Sequence, residues 1–251
     1  MNYRIALVAA IGISFALNYF GLIRIQIIPD RITRLGLKDS FSYAKSKISN
    51  IDSEIESVKV PYEELIENDD NTITWHTGAR FYLANKVAIV VIDIHDEVNW
   101  PDDSSHIKYQ ELITRINSFT SRMRDLGVDI IHSHSPWEGK KASTALIQSQ
   151  SDIIIDSPES ERNLYSEISK YDVVLLVGAA GNKCVLTRPL GVIELNRIGV
   201  QTVYLYDMMV FFGSPGKAPE FSPDPRIVEF VALNWGYVGS ASTIIEAQNK
   251  K

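Results

Sequence analysis

One stretch, residues 173–207, limits the folds that this chain can adopt. It opens with the apolar run Val173–Val177, passes through a turn of small residues at 178–181, and closes with the apolar run Val203–Tyr206. A short run that is apolar throughout is typical of a strand covered on both faces of a parallel sheet. The residues between the runs predict a helix that ends near Gly199. The stretch therefore predicts a strand–helix–strand unit of a parallel sheet.

Cys184, the only cysteine in the chain, falls in the first turn of this predicted helix. The N-terminus of a helix favours an anion, so a thiol placed there is expected to lose its proton more easily. A free cysteine is also a common buried apolar residue. Its position alone therefore leaves a nucleophile and a packing residue as open interpretations. A single cysteine excludes an intramolecular disulfide framework and a zinc site built from several cysteines.

The chain beyond Arg80 alternates apolar strand patterns with amphipathic helix patterns. Strands are predicted at Val87–Ile92, 128–131 and 153–155, and helices at 104–126, 158–169 and 226–233. This alternation predicts an α/β fold with a parallel sheet.

The N-terminal part of the chain has a different character. Residues 5–23 contain no charged residue and are long enough to cross a bilayer. We expect residues 1–24 to be a single-pass membrane anchor, and a cleaved signal peptide followed by export is the alternative. Residues 25–80 predict a polar stalk or N-terminal extension, and residues 81–251 predict the α/β domain.

The charge of the chain restricts its partners. The formal net charge is −6 and the pI is near 5.4. Binding to nucleic acid phosphates needs a basic surface, so the composition argues against a general nucleic-acid-binding protein. The expected partner is a small-molecule substrate.

Several polar residues follow the predicted strands, and ligands of parallel sheets bind beyond the carboxyl ends of the strands. Asp93 directly follows six apolar residues, a position that is unfavourable for a carboxylate without a partner. A general base that takes the Cys184 proton and a helix cap or loop acceptor are both open for Asp93. His95, His132 and His134 could bind a metal together with Asp93 or be structural residues. No cofactor or metal is predicted.

Two segments resemble the isochorismatase-like cysteine hydrolase family. VAIVVIDIHDEVNW, a helix and VDIIHSHSP are similar to its first half, and VLLVGAAGNKCVLTRPLGVIELNRIGVQTVYLYD is similar to its nucleophile segment. CVLTRPLGVIEL is similar to one branch of the family. The resemblance covers about residues 81–245 and implies a Rossmann-like three-layer sandwich with a mainly parallel six-stranded sheet. It also implies a homo-oligomer.

The resemblance also implies a mechanism and a set of site residues. Cys184 takes the position of the nucleophile and Asp93 that of the general base. The turn at Ala179, Ala180 and Gly181 takes the position of the oxyanion hole, with a cis peptide near Ala179–Ala180. Family members cleave C–N bonds in amides and carbamoyl groups, or the vinyl ether of isochorismate. The pocket candidates are His95, Asp96, Trp100, His134, Asn182 and Arg188.

One expected group is missing from this pattern. Many family members have a catalytic lysine at the end of the strand before the nucleophile unit, where this chain has Asp156 and Ser157. A catalytically impaired binding or assembly protein is therefore an alternative to the hydrolase, and a redox-sensing cysteine protein is a further one. The nicotinamidase metal pattern is matched only by Asp93 and His95, which disfavours that activity.

Overall fold

A computed structural model of the chain describes residues 56–70, 72–96, 101–134, 141–212 and 219–249. The strands in these ranges are β1 (Ser57–Glu67), β2 (Ile73–Leu83), β3 (Val87–Ile92), β4 (Asp129–Ser133), β5 (Ile153–Ile155), β6 (Val173–Ala179), β7 (Thr202–Val210) and β8 (Tyr237–Gly239). The helices in these ranges are α1 (Asp103–Asp125), α2 (Pro158–Glu167), α3 (Cys184–Thr187), α4 (Val192–Arg197), α5 (Pro225–Asn234) and α6 (Ala241–Asn249).

The strands form one mixed sheet in the order β2-β1-β8-β7-β6-β3-β4-β5. Six of these strands run parallel to one another, in the order β8, β7, β6, β3, β4 and β5. The first two, β2 and β1, run antiparallel. The α/β fold predicted from the sequence is confirmed, but the prediction of six strands is wrong, because the sheet has eight strands.

The two extra strands form a long hairpin within the region for which the sequence predicted a polar stalk or extension. Val58 and Val60 of β1 are buried in the core. No strand was predicted in this region, and Pro61 lacks the N–H that a strand interior uses. Pro61 is tolerated because β1 meets β8 only at one residue pair, Glu63 and Val238.

The sheet separates two apolar clusters, so the domain has three layers. Alternate residues of β3 point to opposite sides: Ile89 packs with α1 and α6 in one cluster, and Val90 packs with α2 and α4 in the other. All six residues of β3 and all seven residues of β6 are buried. These two strands form the most protected part of the sheet.

The order of the strands reverses between β3 and β6. From β3 the chain adds β4 and β5 on one side, and it then returns to place β6, β7 and β8 on the other side. In open parallel sheets, such a reversal opens a crevice at the carboxyl ends of the two adjacent strands. The residues that directly follow β3 and β6 are therefore positioned to form a site.

The helix predicted after Cys184 is divided into two short helices. α3 ends at Thr187 and α4 begins at Val192. A residue before proline is driven towards extended backbone, and Arg188 before Pro189 has φ −64° and ψ 158°. The sequence Arg-Pro therefore interrupts the helix and turns the chain at Arg188.

Some predictions fall outside the described residues. The membrane anchor at residues 5–23 and the pocket candidate Trp100 are among them. Of the helices that the structure describes, none has both the length and the apolar character needed to span a bilayer.

Candidate functional site

Asp93 and the Cys184 turn meet at the reversal in strand order. Ile92, the last residue of β3, pairs with Gly178 of β6. Gly178 has φ 128°, and a Cβ there would lie 2.1 Å from the carbonyl oxygen of Ile92. Only glycine permits this approach. The close contact holds the start of the Cys184 turn against the segment that carries Asp93.

Asp93 is a buried carboxylate in an unusual backbone conformation. Its φ is 51°, a region that L-residues adopt rarely, although aspartate and asparagine adopt it more readily than most. Its side chain is 7% exposed and forms an ion pair with Arg188, which is 14% exposed. Arg188 donates from Nε to Oδ2 over 3.2 Å and from Nη2 to Oδ1 over 2.9 Å. The partner that a buried Asp93 requires is therefore Arg188.

Cys184 is the first residue of α3 and is partly buried. Its thiol interacts with the carboxylate of Asp93. Burial and then this interaction with Asp93 raise the pKa of Cys184, although the positive charge of Arg188 opposes the shift. The expectation that the thiol loses its proton more easily is therefore wrong. The thiol is protonated at neutral pH and faces a carboxylate that can accept its proton.

The turn between β6 and Cys184 contains the expected cis peptide, between Ala179 and Ala180. A backbone hydrogen bond from Ala180 reaches the Cys184 thiol and lowers its pKa slightly against the larger effects. The N–H of Gly181 donates to the carbonyl of Val210 over 2.8 Å. Gly181 therefore uses its N–H within the fold, while Ala180 directs a backbone group at the sulfur.

Two of the pocket candidates hold loops together. Asn182 donates from its side chain to the carbonyl of Phe212 over 2.6 Å and accepts from the N–H of Phe212 over 3.1 Å. The carboxylate of Asp96 accepts from the hydroxyls of Ser143 and Thr144, and these hydrogen bonds lower its pKa. Both side chains make structural contacts that the sequence did not indicate.

The two histidine candidates lie on the Asp93 side of the crevice. Burial lowers the pKa of His134 to about 4, with a further lowering from the charges of His132 and His95 and an opposing effect of Asp93. His134 is therefore neutral at pH 7. Its Nε2 lies 3.1 Å from the side-chain nitrogen of Gln148.

His132 belongs to a second cluster that the sequence analysis did not find. It lies within β4 and its Nε2 is 2.8 Å from Oδ2 of Asp152. Arg124 also donates two hydrogen bonds to Asp152. Among the described residues, no group of three or more histidine, cysteine, aspartate or glutamate side chains is arranged to bind a metal. The interpretation of His132 as a structural residue is thus favoured over that of a metal ligand.

The end of β5, where the resemblance implies a lysine, carries a helix cap instead. Ser157 precedes α2, and its hydroxyl accepts from the N–H of Ser160 over 3.1 Å. Serine is a preferred residue for this role. Glu161, one residue further along α2, is 1% exposed. Burial opposes the charged form of Arg188, but the hydrogen bonds and charge of Asp93, with a smaller effect of the Glu161 charge, raise the pKa of the guanidinium.

Comparisons with known proteins gave structural matches only. No protein-family model matches the sequence, and no curated protein matches it. The N-carbamoylsarcosine amidase from Thermoplasma acidophilum is 15% identical, with a TM-score of 0.45 over 62% of this chain and 96% of that chain. An isochorismatase family protein from Burkholderia thailandensis is 12% identical, with a TM-score of 0.45 over 66% of this chain and 97% of that chain.

Proposed function

We propose that this protein is a cysteine hydrolase that cleaves an amide-type or carbamoyl-type C–N bond, or a related bond, in a small molecule. The observation that carries this function is that the buried carboxylate of Asp93, held by Arg188, interacts with the Cys184 thiol. A thiol next to a base is the arrangement that activates a cysteine nucleophile. The rare backbone conformation of Asp93 supports the same assignment, because strained residues cluster at functional sites.

The acylation step follows from the protonation states. Because the pKa of Cys184 is raised, its sulfur becomes nucleophilic only as Asp93 removes the proton. The sulfur attacks the carbonyl carbon, and the electron pair of the C=O bond moves to the oxygen. Backbone N–H groups of Ala180 and Cys184 stabilise this oxyanion. The intermediate then expels the amine, which takes the proton from Asp93, and a thioester remains on Cys184.

Water completes the cycle with the same two residues. Asp93 takes a proton from a water molecule as the water oxygen attacks the thioester carbon. The C–S bond breaks, and the departing sulfur recovers the proton from Asp93. The product is a carboxylic or carbamic acid, and the site returns to its resting state. No step needs a cofactor.

A second function is favoured by one specific observation. Both oxygens of Asp93 accept from Arg188, and the end of β5 has a helix cap where the resemblance implies a lysine. The site therefore departs from the pattern that the resemblance implies, and a catalytically impaired binding or assembly protein is the alternative. The two functions differ in whether any turnover depends on Cys184.

The test is a screen of small amides and carbamoyl compounds for release of ammonia or amine. We would compare the full-length chain in mild detergent with Cys184→Ala and with the adjacent surface variant Lys183→Ala. The hydrolase requires turnover that disappears in Cys184→Ala and persists in Lys183→Ala. Activity that survives in Cys184→Ala would reject the nucleophile, and no turnover across the panel favours the binding protein.

Membrane attachment and homo-oligomer formation are further proposals that rest on the sequence. The uncharged run at residues 5–23 supports an anchor. Membrane fractionation and the intact mass distinguish the alternatives: an anchor leaves the full-length chain in the membrane, and a signal peptide leaves a shortened chain outside it.

A further inference from the structure

The Asp93–Cys184 pair needs a neighbouring positive charge. The pair carries one negative charge in a buried site, on the carboxylate before the proton moves and on the sulfur afterwards, and a cation next to it stabilises that charge. The resemblance implies that a lysine at the end of β5 supplies the compensating cation. In this chain that position has Asp156, which is exposed, and Ser157, which caps α2. The cation must come from another part of the site.

Arg188 is the cation that reaches Asp93. It contacts both carboxylate oxygens through Nε and Nη2, in the bidentate geometry that the planar guanidinium allows. Its charge also acts on Cys184, whose pKa it lowers. Each carboxylate oxygen has two lone pairs, so Asp93 can hold Arg188 and still accept the proton of the thiol.

The local backbone explains why Arg188 is in this place. The N–H of Arg188 donates to the carbonyl of Cys184 over 3.0 Å, so one helical turn separates the nucleophile from the cation. Pro189 ends α3 and sets Arg188 in extended backbone. The same short segment therefore carries both the thiol and the positive charge to Asp93.

A second acidic residue acts on Arg188 through its charge. Glu161 of α2 is buried, and its negative charge raises the pKa of Arg188 together with the hydrogen bond and charge of Asp93, which outweigh the effect of burial. The charges of both acids favour the charged form of the guanidinium. The helix after β5 thus contributes an acid that favours the cation, rather than the cation itself.

We propose that Arg188 takes the role of the missing lysine as a positioning residue, which orients Asp93 and offsets its charge beside the Cys184 thiol. The catalytic meaning of this role rests on the proposed hydrolase function. Its effect on the acidity of the thiol does not, because the charges act on Cys184 whether or not a substrate is turned over.

The pH profile of Cys184 alkylation by iodoacetamide measures this effect directly. Cys184 is the only cysteine, so the mass adduct of the full-length chain in mild detergent reports a single site. Other titratable groups that interact with Asp93 are His134 and Tyr109, and they are unchanged in every variant. Arg188→Met should raise the pKa of the thiol by about one unit, since two negative charges lose their compensating cation.

Two further variants give the direction of the effect. Arg188→Lys should raise the pKa of the thiol less than Arg188→Met does, because lysine keeps the positive charge but not the bidentate contact. Glu161→Gln should move the profile in the opposite direction, towards lower pH, since it removes a negative charge. The control Arg226→Met removes an exposed arginine that pairs with Asp224, and the profile should stay that of the wild type.

The outcomes separate this inference from the proposed function. An unchanged profile in Arg188→Met overturns the inference, even if the wild type hydrolyses an amide through Cys184. Should Arg188→Met fail to fold, the inference is overturned if Arg188→Lys and Glu161→Gln both have wild-type profiles. The expected shifts support the inference even if the screen finds no substrate, and in that case only the hydrolase proposal fails.

Discussion

Two buried aspartates in this protein are held by arginine in the same way, and they differ in what else they contact. Arg188 donates two hydrogen bonds to Asp93, and Arg124 donates two to Asp152. The Asp93 side chain is 7% exposed and that of Asp152 is 1% exposed. The ion pairs alone therefore do not distinguish a chemical role from a structural one.

The contacts beyond the arginine distinguish the two carboxylates. Asp152 also accepts from the N–H of Ser149 over 3.0 Å and lies 2.8 Å from Nε2 of His132. These donors and Arg124 outweigh burial and lower the pKa of Asp152. A carboxylate with this many donors is stabilised in its charged form and is a poor base.

Asp93 has a thiol where Asp152 has a histidine and a backbone N–H. The thiol of Cys184 interacts with Asp93, and the backbone of Asp93 has the rare φ of 51°. Asp93 lies at the reversal in strand order, whereas Asp152 lies before β5, at the far edge of the sheet. The same kind of ion pair thus holds one carboxylate next to a thiol at the crevice and the other next to a histidine at the edge of the sheet, and we propose a catalytic role only for the first.

Asp93→Asn tests whether Asp93 is the general base, and it should have the largest effect on kcat. Asparagine tolerates positive φ and preserves the shape of the side chain, but it cannot accept the proton of Cys184. Loss of a general base typically costs 10²–10⁴-fold, so we expect a fall in kcat of about 10³-fold. Steady-state kinetics on the substrate found by the screen measures this, and Asp152→Asn is the control that should retain its kcat.

Asp152→Asn tests the structural role of Asp152, which we expect to appear in the stability of the protein. Breaking a buried ion pair leaves Arg124 and His132 with a neutral partner and should lower the free energy of unfolding by about 3 kcal/mol. Chemical denaturation measures the loss. Asp93→Asn should lose less, because Glu161 still compensates the charge of Arg188. Equal losses for the two variants would contradict the division of roles.

His134 interacts with both Asp93 and His132. Its protonation should make the stability of the protein depend on pH. Its pKa is lowered to about 4 in the folded protein, below the value of about 6.5 in an unfolded chain. The unfolded state therefore binds a proton first, and stability is lost as the pH falls from about 6.5 to 4. The loss should be about 3 kcal/mol or less.

Denaturation at several pH values checks this expectation. His134→Gln should weaken the dependence in that interval. His106→Gln, which removes an exposed histidine of α1, should leave it unchanged. A wild-type pH dependence that persists in His134→Gln would assign the loss to other groups.

The sequence predicted the strands that carry the site, because their patterns are local. Val87–Ile92 and Ile153–Ile155 have the predicted bounds, since each is a continuous apolar run between polar residues. Asp93 was identified by its place after such a run, and Cys184 by its place after the small-residue turn. The cis peptide at Ala179–Ala180 followed from the resemblance and not from any local pattern.

The contacts between distant segments could not be predicted. Arg188 was a pocket candidate, but it pairs with Asp93, which is 95 residues away along the chain. This pairing depends on where α3 ends and on the fact that β3 and β6 are neighbours in the sheet. The Arg124–Asp152 pair has no motif at all. The hairpin at 57–83 was missed because β2 is mostly exposed and only Val58 and Val60 of β1 are buried, so neither strand has a continuous apolar run.

The most direct test of Asp93 as the base of the Cys184 thiol is the pH profile of Cys184 alkylation in wild type, Asp93→Asn and Asp152→Asn. Removing the carboxylate that contacts the thiol, while Arg188 remains, should lower the pKa of Cys184 by about one unit or more. Asp152→Asn should leave the profile where it is in the wild type. A profile that Asp93→Asn does not move, or that both variants move equally, would contradict the claim that Asp93 is the base of the Cys184 thiol.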